Sequence, residues 1–338
     1  MVSDNDFQKA VELINKSGSV LLTTHIRPDG DACGSVAAMH DALTALGKKV
    51  MPIMLSEIPE WYEFLFAEEP PIFGKDVTLE QLTKGQFADF DLIILVDVNT
   101  YNQLPNFDQY LKHNNRPVLV IDHHVTSHSL GDVELIEPKA AATALIVLDL
   151  LKFAGWPITK EIAQALFAAI ATDTGWFQFG NTDNAVFRSC AELVDTGVNP
   201  AQIYHSLCQN SSLQRLKLMA AMLNTLELHL DGRFATQQLL QRDFEQAGAA
   251  DKDTENLIDE CQRIRTVEAA ALFAELKDGR IRCSLRSKGA IDVCEVAAKF
   301  GGGGHKMAAG AHLPGPLENA KYLIMAEVEK QFQKRPGK

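Results

Sequence analysis

The sequence predicts an α/β protein: a mainly parallel sheet covered by helices, followed by a smaller α+β domain. Three observations lead there. The first half alternates short apolar runs of strand length with longer helix-compatible runs, the pattern of parallel strands joined by crossover helices. The second half carries two Asp-Gly dipeptides between extended runs, a strong hairpin signal. The chain has 338 residues, 46% of them hydrophobic, which is enough for two domains with cores of their own.

The elements follow in order. SVLLTTH (19–25) reads as a buried strand, CGSVAAMHDALTAL (33–46) as a helix with Gly47 as its C-cap, and KKVMPIML (48–55) as a returning strand. FDLIILVDV (90–98) and RPVLVIDHH (116–124) are further apolar strands bounded by polar or proline-containing turns. AATALIVLDLLKFAG (141–155) and TKEIAQALFAAIATDTG (159–175) read as helices. NTLELHLDGRFATQQL (224–239) and EAAALFAELKDGRIRCSLRS (268–287) read as hairpins turning at Asp231-Gly232 and Asp278-Gly279. The polar, helix-compatible stretch 191–223 is expected to connect a first domain, 1–190, to a second, 224–338.

Charge narrows the function. The net charge of −12 argues against a long electropositive groove for generic duplex binding. It leaves room for short anionic substrates, because bound metal ions add local positive charge. Residues 262–306 also form a basic island, with nine Lys/Arg against five acids. The six cysteines are scattered with no C-x-x-C pair, as expected of reduced thiols in a cytoplasmic protein. The start, MVSDNDFQKA, is polar and acidic, unlike a secretory signal. No apolar run reaches the ~18 residues of a membrane span.

The polar residues sit at telling places. His25 ends the first strand, Asp97 ends LIILVD, and Asp122, His123 and His124 end VLVIDHH. Open α/β sheets bind ligands beyond the carboxyl ends of their strands, so these groups are expected on one rim. Asp29 and Asp31 lie in the stretch after the first strand, and Asp173 follows an apolar helix. A strand-end aspartate alone is more often a cap or turn residue. Four such segments converging are a stronger signal. Carboxylates and imidazoles without a thiolate suit Mn²⁺ or Mg²⁺. So many ligands suit two cations sharing a carboxylate, the arrangement that activates water and neutralises oxygens in phosphoryl displacement. The two close carboxylates of H-x-x-x-D-x-D would then have positive charge between them.

In order, HIRPDGDACGS, VDVN, IDHH and ATDTGWF resemble the four motifs of the DHH phosphoesterases, and FGGGGHKMAAGA (300–311) resembles the signature of their associated C-terminal domain. The resemblance covers nearly the whole chain and is closest, in size and layout, to the stand-alone type that degrades very short RNA and dephosphorylates 3′-phosphoadenosine 5′-phosphate. It implies two divalent metal ions, usually manganese. One would be held by His25, Asp29 and Asp97 and the other by Asp31, Asp97, His123 and Asp173. It also implies that Asp122 orients its neighbours and that His124 faces the substrate phosphate or leaving group. In the second domain it implies nucleotide contacts from Arg286, Ser287 and His305. The backbone amides of Gly302, Gly303 and Gly304 can approach phosphate closely. A cleft between the domains would then measure substrate length, and the family also allows a homodimer. A cyclic-dinucleotide phosphodiesterase and a non-catalytic nucleotide-binding module are the competing readings. The full ligand set, with His124, speaks against a dead site.

Overall fold

In the first half the apolar runs alternate between two cores, residue by residue. Val20 and Leu22, Ile94 and Val96, and Leu119 and Ile121 face one core, while Leu21, Ile93, Leu95, Val118 and Val120 face another. Strands buried on both faces need such continuous apolar runs, as in parallel sheets covered by helices. The computed structural model describes residues 2–84, 90–209 and 211–334. These fall into two compact units, Met1–Asn210 and Ser211–Lys338.

The first unit runs α1 (Asp4–Lys16), β1 (Ser19–Thr23), α2 (Gly30–Ala45), β2 (Lys49–Ile53), α3 (Leu79–Thr83), β3 (Leu92–Val96), α4 (Phe107–Lys112), β4 (Val118–Asp122), β5 (Val133–Ile136), α5 (Thr143–Ala154), α6 (Lys160–Asp173), α7 (Asn184–Asp195) and α8 (Pro200–Cys208). Its sheet is five-stranded in the order β2-β1-β3-β4-β5, parallel throughout. The chain leaves β1 for β2 on one side and returns to β3 on the other. The strand order therefore reverses between β1 and β3, the place where open α/β sheets bind ligands beyond their carboxyl ends. Helices α1, α2, α5, α6 and α7 cover one face, while α3 and α4 cover the other.

The second unit runs α9 (Leu213–Leu223), β6 (Glu227–His229), β7 (Phe234–Leu239), α10 (Gln241–Ala247), α11 (Asp259–Gln262), β8 (Ala269–Glu275), β9 (Arg280–Ser287), α12 (Val293–Ala298), β10 (Gly303–His305), β11 (Ala308–Pro314) and α13 (Leu317–Gln333). Its six-stranded sheet has the order β10-β11-β9-β8-β7-β6, antiparallel except between β7 and β8. One face packs on α12 and α13, and the other packs on α9 and α10. Both Asp-Gly hairpins form, as β6–β7 and β8–β9. Among the described residues no helix is long and apolar enough to cross a membrane.

Several details differ from the sequence reading. Helix α2 begins at Gly30, three residues before Cys33, so Asp29 is its N-cap and Asp31 lies in its first turn instead of a loop. An aspartate whose side chain accepts from the next turn is a strong helix start, and that signal outweighs Gly30. Helix α1 and strand β5 were not expected; the first buries only Phe7, Ala10 and Ile14 of its 13 residues, and the second is only four residues long. The glycine run is partly strand, because Gly303 and Gly304 pair with Gly310 and Ala309 of β11. Within 191–223, α7 and α8 bury Leu193 and Ile203 in the first unit's core, while α9 buries Leu218 and Met222 in the second's.

Candidate metal centre

Helix packing sets the frame. A Cβ on Gly30 would lie 2.2 Å from Thr172 Oγ1, and one on Gly34 would lie 2.5 Å from the Ala165 carbonyl oxygen. Two glycines one turn apart on α2 therefore let it lie directly against α6. That close approach brings the start of α2, with Asp29 and Asp31, to the end of α6, with Asp173. Helix α6 closes with a glycine-terminated motif: the Gly175 N–H donates to the Thr172 carbonyl and the Trp176 N–H to that of Ala171. Asp173 is thereby its last helical residue.

Each side chain is held by specific partners. Asp29 Oδ1 accepts from the Asp31 and Ala32 N–H groups at 3.0 and 3.1 Å, leaving its other oxygen free of the cap. Asp31 is 1% exposed. Its carboxylate accepts from the Thr143 and Ala144 N–H groups and from Ser35 Oγ. Helix α5 starts at Thr143, its N-cap Ala142 offers no side-chain cap, and Asp31, over a hundred residues upstream, supplies one. Thr143 Oγ1 donates to Asp97 Oδ1 at 2.9 Å. Asp97 itself has a left-handed φ of 57°, a strained conformation for a residue with a side chain, while its N–H still donates to the Ile121 carbonyl.

The histidines are aimed as well. His123 Nδ1 lies 3.1 Å from the Ala140 carbonyl, which sets the tautomer with Nδ1 protonated and the Nε2 lone pair free. That Nε2 stands 3.6 Å from Asp97, 3.6 Å from Asp173 and 3.9 Å from Asp31. His25 Nδ1 likewise faces the Ile26 carbonyl, and its Nε2 lies 3.4 Å from Asp97 Oδ2. His124 differs: its Nδ1 bonds to buried Asp122 at 2.7 Å. That bond, reinforced by the charges of Asp122 and Asp97, raises its pKa to about 9.

Electrostatics shows what the cluster lacks. Burial and neighbouring carboxylates push Asp31 and Asp97 well above the usual carboxylate range. Burial, with Asp29 nearby, raises Asp173 to about 6, although His123 and His124 oppose the shift. Four carboxylates thus converge, with His124 the histidine held charged beside them. Ligand atoms of His25, Asp29 and Asp97 lie within 4.8 Å of one another, as do those of Asp31, His123 and Asp173, and those of Asp97, His123 and His124. Separations of 3.4–3.9 Å between Nε2 atoms and carboxylates are too long for good hydrogen bonds but suit two ligands of one ion. The oxygen-rich donor set fits hard divalent cations. Asp29 is exposed, so the group opens to solvent at that end.

The eight polar residues singled out in the first half of the sequence all gather here. Thr143 escaped the sequence reading although it touches both Asp31 and Asp97. The available signal was an apolar helix start, AATAL, without a cap residue. In the second unit, Arg286 lies on β9 with its Nε donating to Asp259 Oδ1 at 2.9 Å. The alternation places Arg282, Ser284 and Arg286 on the half-exposed face and Ile281, Cys283 and Leu285 in the core, as expected. Ser287 is 2% exposed, and its Oγ accepts from the Gly289 and Ile291 N–H groups, so the structure does not place its side chain beside that of Arg286. Gly302 and Gly304 meet the backbone of β11 so closely that a Cβ would collide with it, whereas Gly303 faces open space. Strand β10 is an edge strand, with one side of its backbone outside the ladder. The His305 side chain lies outside the described residues.

Fold and site together define a two-unit α/β protein with a carboxylate–imidazole centre at the switch point of its first sheet. The chain belongs to the DHH family: residues 19–170 match the DHH family N-terminal domain and residues 231–334 match the DHHA1 domain. It is 33% identical to the bifunctional oligoribonuclease and PAP phosphatase NrnA of Thermus thermophilus over 96% of this chain and 92% of that one. An exopolyphosphatase-related protein from Bacteroides fragilis shares the fold with a TM-score of 0.89, at 23% identity, over 98% of each chain. Exonuclease RecJ bound to manganese shares it more distantly, with a TM-score of 0.54 at 17% identity, over 99% of this chain and 96% of that one.

Proposed function

We propose that this chain hydrolyses very short RNA, two to four nucleotides long, to mononucleotides and converts 3′-phosphoadenosine 5′-phosphate to AMP. Two divalent cations, manganese in preference to magnesium, are the cofactors of this reading. His25, Asp29 and Asp97 would hold one, and Asp31, Asp97, His123 and Asp173 the other. Bound there, they would supply Lewis acidity, acidifying the attacking water and neutralising the charge on the phosphate.

The chain's own groups do the rest. Asp31 and Asp97 are aimed by the amides of α5 and by Thr143, so little reorganisation is needed when a ligand arrives. The Ala140 carbonyl holds the His123 proton on Nδ1. His124, whose Nδ1 bonds to Asp122 and whose pKa is raised to about 9 in the metal-free chain, lies beside the centre and is suited to protonating the leaving alkoxide. Arg286 and the backbone at Gly303, which faces open space, are proposed to bind a phosphate of the nucleotide, as Arg's planar donors allow.

The observation that carries this reading is the sharing of Asp97 between separate ligand groups, in a chain similar to NrnA along nearly its full length. The test is a length series of 5′-phosphorylated RNA, from two nucleotides to about twenty, with Mn²⁺, beside 3′-phosphoadenosine 5′-phosphate and pyrophosphate. Rapid loss of the shortest RNAs, abolished by Asp97→Ala, is the expected result. Turnover of pyrophosphate alone would overturn the substrate assignment.

A further inference from the structure

The segment just after Asp173 does more than close α6. Gly175, Trp176 and Phe177 are consecutive left-handed residues, with φ of 55°, 54° and 64°. Such a run is unfavourable for residues with side chains. Buried Thr174 braces it: its Oγ1 accepts from the Phe177 N–H, and its carbonyl accepts from the N–H groups of Gln178 and Phe179. The aromatic rings then part company. Trp176 and Phe177 pack on Phe167, on each other, and on Tyr204 and Phe187 respectively. Phe179 makes no ring contact among the described residues and is 60% exposed.

Phe179 is nevertheless held. A Cβ built on Gly175 would lie 2.5, 2.6 and 2.7 Å from Cζ, Cε1 and Cε2 of its ring. Near-equal distances to three adjacent ring atoms place that point over the ring's face, beyond no edge. One face therefore rests on Gly175, two residues from Asp173, and the other is open. The loop is tied to the metal centre as well, since Asn181 Nδ2 donates to the Asp173 and Ala141 carbonyls. The neighbouring Ala140 carbonyl is the one that orients His123.

We propose that the open face of Phe179 is a stacking surface for the nucleobase adjoining the phosphate held at the Asp31, His123 and Asp173 group. A flat apolar ring, backed on one side and open on the other next to a phosphate-binding centre, matches the π-face of a base, and such stacking tolerates any base. The inference rests on the nucleotide reading given above and adds a specificity residue to it.

The experiment measures binding of a dinucleotide containing 2-aminopurine and bridged by a non-hydrolysable methylene phosphonate, in the presence of Mn²⁺. The full chain is compared with Phe179→Ala, Phe179→Leu and Phe179→Trp. Stacking quenches the fluorophore, so quenching is expected with the unmodified protein and with Phe179→Trp. Affinity is expected to fall about 5- to 150-fold in Phe179→Ala and Phe179→Leu, the loss that removal of one base–aromatic stack brings. A Mn²⁺-induced thermal shift like that of the unmodified protein would show that the variants keep the neighbouring centre. Undiminished binding by Phe179→Ala, or full function in Phe179→Leu, would overturn the proposal. Turnover plays no part in this readout. Binding and quenching without hydrolysis of any short RNA would sink the proposed reaction and leave the stacking surface standing. Hydrolysis without quenching would sink the stacking surface alone.

Discussion

Replacing Asp173 by asparagine should stabilise the metal-free protein and weaken the metal-loaded one. The physical reason is that Asp173 is poorly placed for a charge when no cation is present. It lies at the carboxyl end of α6, where the helix dipole disfavours an anion. Its pKa is raised from 3.8 to about 6, mainly by burial. The folded state therefore keeps this proton up to about pH 6, while the unfolded chain releases it near 3.8. Stability is lost as pH rises between those two values and nothing further is lost above them. A shift of about 2 units corresponds to about 3 kcal/mol at pH 7. That is a ceiling for the gain from Asp173→Asn, because the amide keeps a smaller desolvation cost of its own. For a unit of this size, 3 kcal/mol corresponds to a rise of about 6–12 °C in Tm. The assay is thermal unfolding in EDTA from pH 4 to pH 8, repeated with Mn²⁺. The variant should match the unmodified protein near pH 4, exceed it at pH 7 and gain much less from Mn²⁺. A lower metal-free Tm at pH 7, or a gain equal at pH 4 and pH 7, would refute the reasoning.

Three further outcomes follow from the same geometry. Gly30→Ala should push α2 off α6, since its Cβ would fall 2.2 Å from Thr172 Oγ1; the expected cost is about 1–3 kcal/mol, together with weaker Mn²⁺ binding, checked by thermal unfolding and calorimetric titration. Thr143→Val removes the hydroxyl donor to Asp97 while leaving the amide to Asp31, and should lower metal affinity by about 10- to 100-fold with little change in the circular dichroism spectrum. Asp122→Asn should bring the His124 titration midpoint, about 9 in the metal-free protein, down toward that of an ordinary histidine; histidine NMR would show it, and an unmoved midpoint would refute the assigned cause.

Most of the first unit was legible because parallel strands buried on both faces must be apolar throughout. Residues 92–96 and 118–122 announce themselves in that way, and so do the polar groups just beyond them. The strand order could not be read from the runs alone, yet the rule that ligands sit past carboxyl ends was enough to place His25, Asp97 and His123 together. What escaped was the work of residues whose partners are distant in sequence. Thr143 looks like an ordinary helix residue until α5 is seen to begin on the Asp31 carboxylate. Gly30 looks like part of a flexible loop until Thr172 is found against it. In the second unit the period of two sorted β9 correctly, but it could not show that Ser287 turns inward to receive two amides.

The two glycine-rich stretches show why composition alone misleads about where a ligand binds. The run at 301–304 looks like a phosphate cradle, yet Gly302 and Gly304 are accounted for by the close approach of β11. Gly303 faces open space, while the Gly304 carbonyl already accepts from Cys294 Sγ, so little of the run's backbone is left to a ligand. Gly30 and Gly34 look incidental, yet without them α2 and α6 could not approach, and Asp31 and Asp173 would not share a neighbourhood. The glycines that matter most for the metal centre therefore touch no ligand. They act by letting two helices meet, one ending and the other beginning in a carboxylate, so that four anions converge where the sheet's strand order reverses. Such a cluster is unstable alone, and the raised pKa values of Asp31, Asp97 and Asp173 record that instability. The same repulsion gives a divalent cation its advantage there, because ion binding relieves the repulsion among the carboxylates and offsets the cost of their burial.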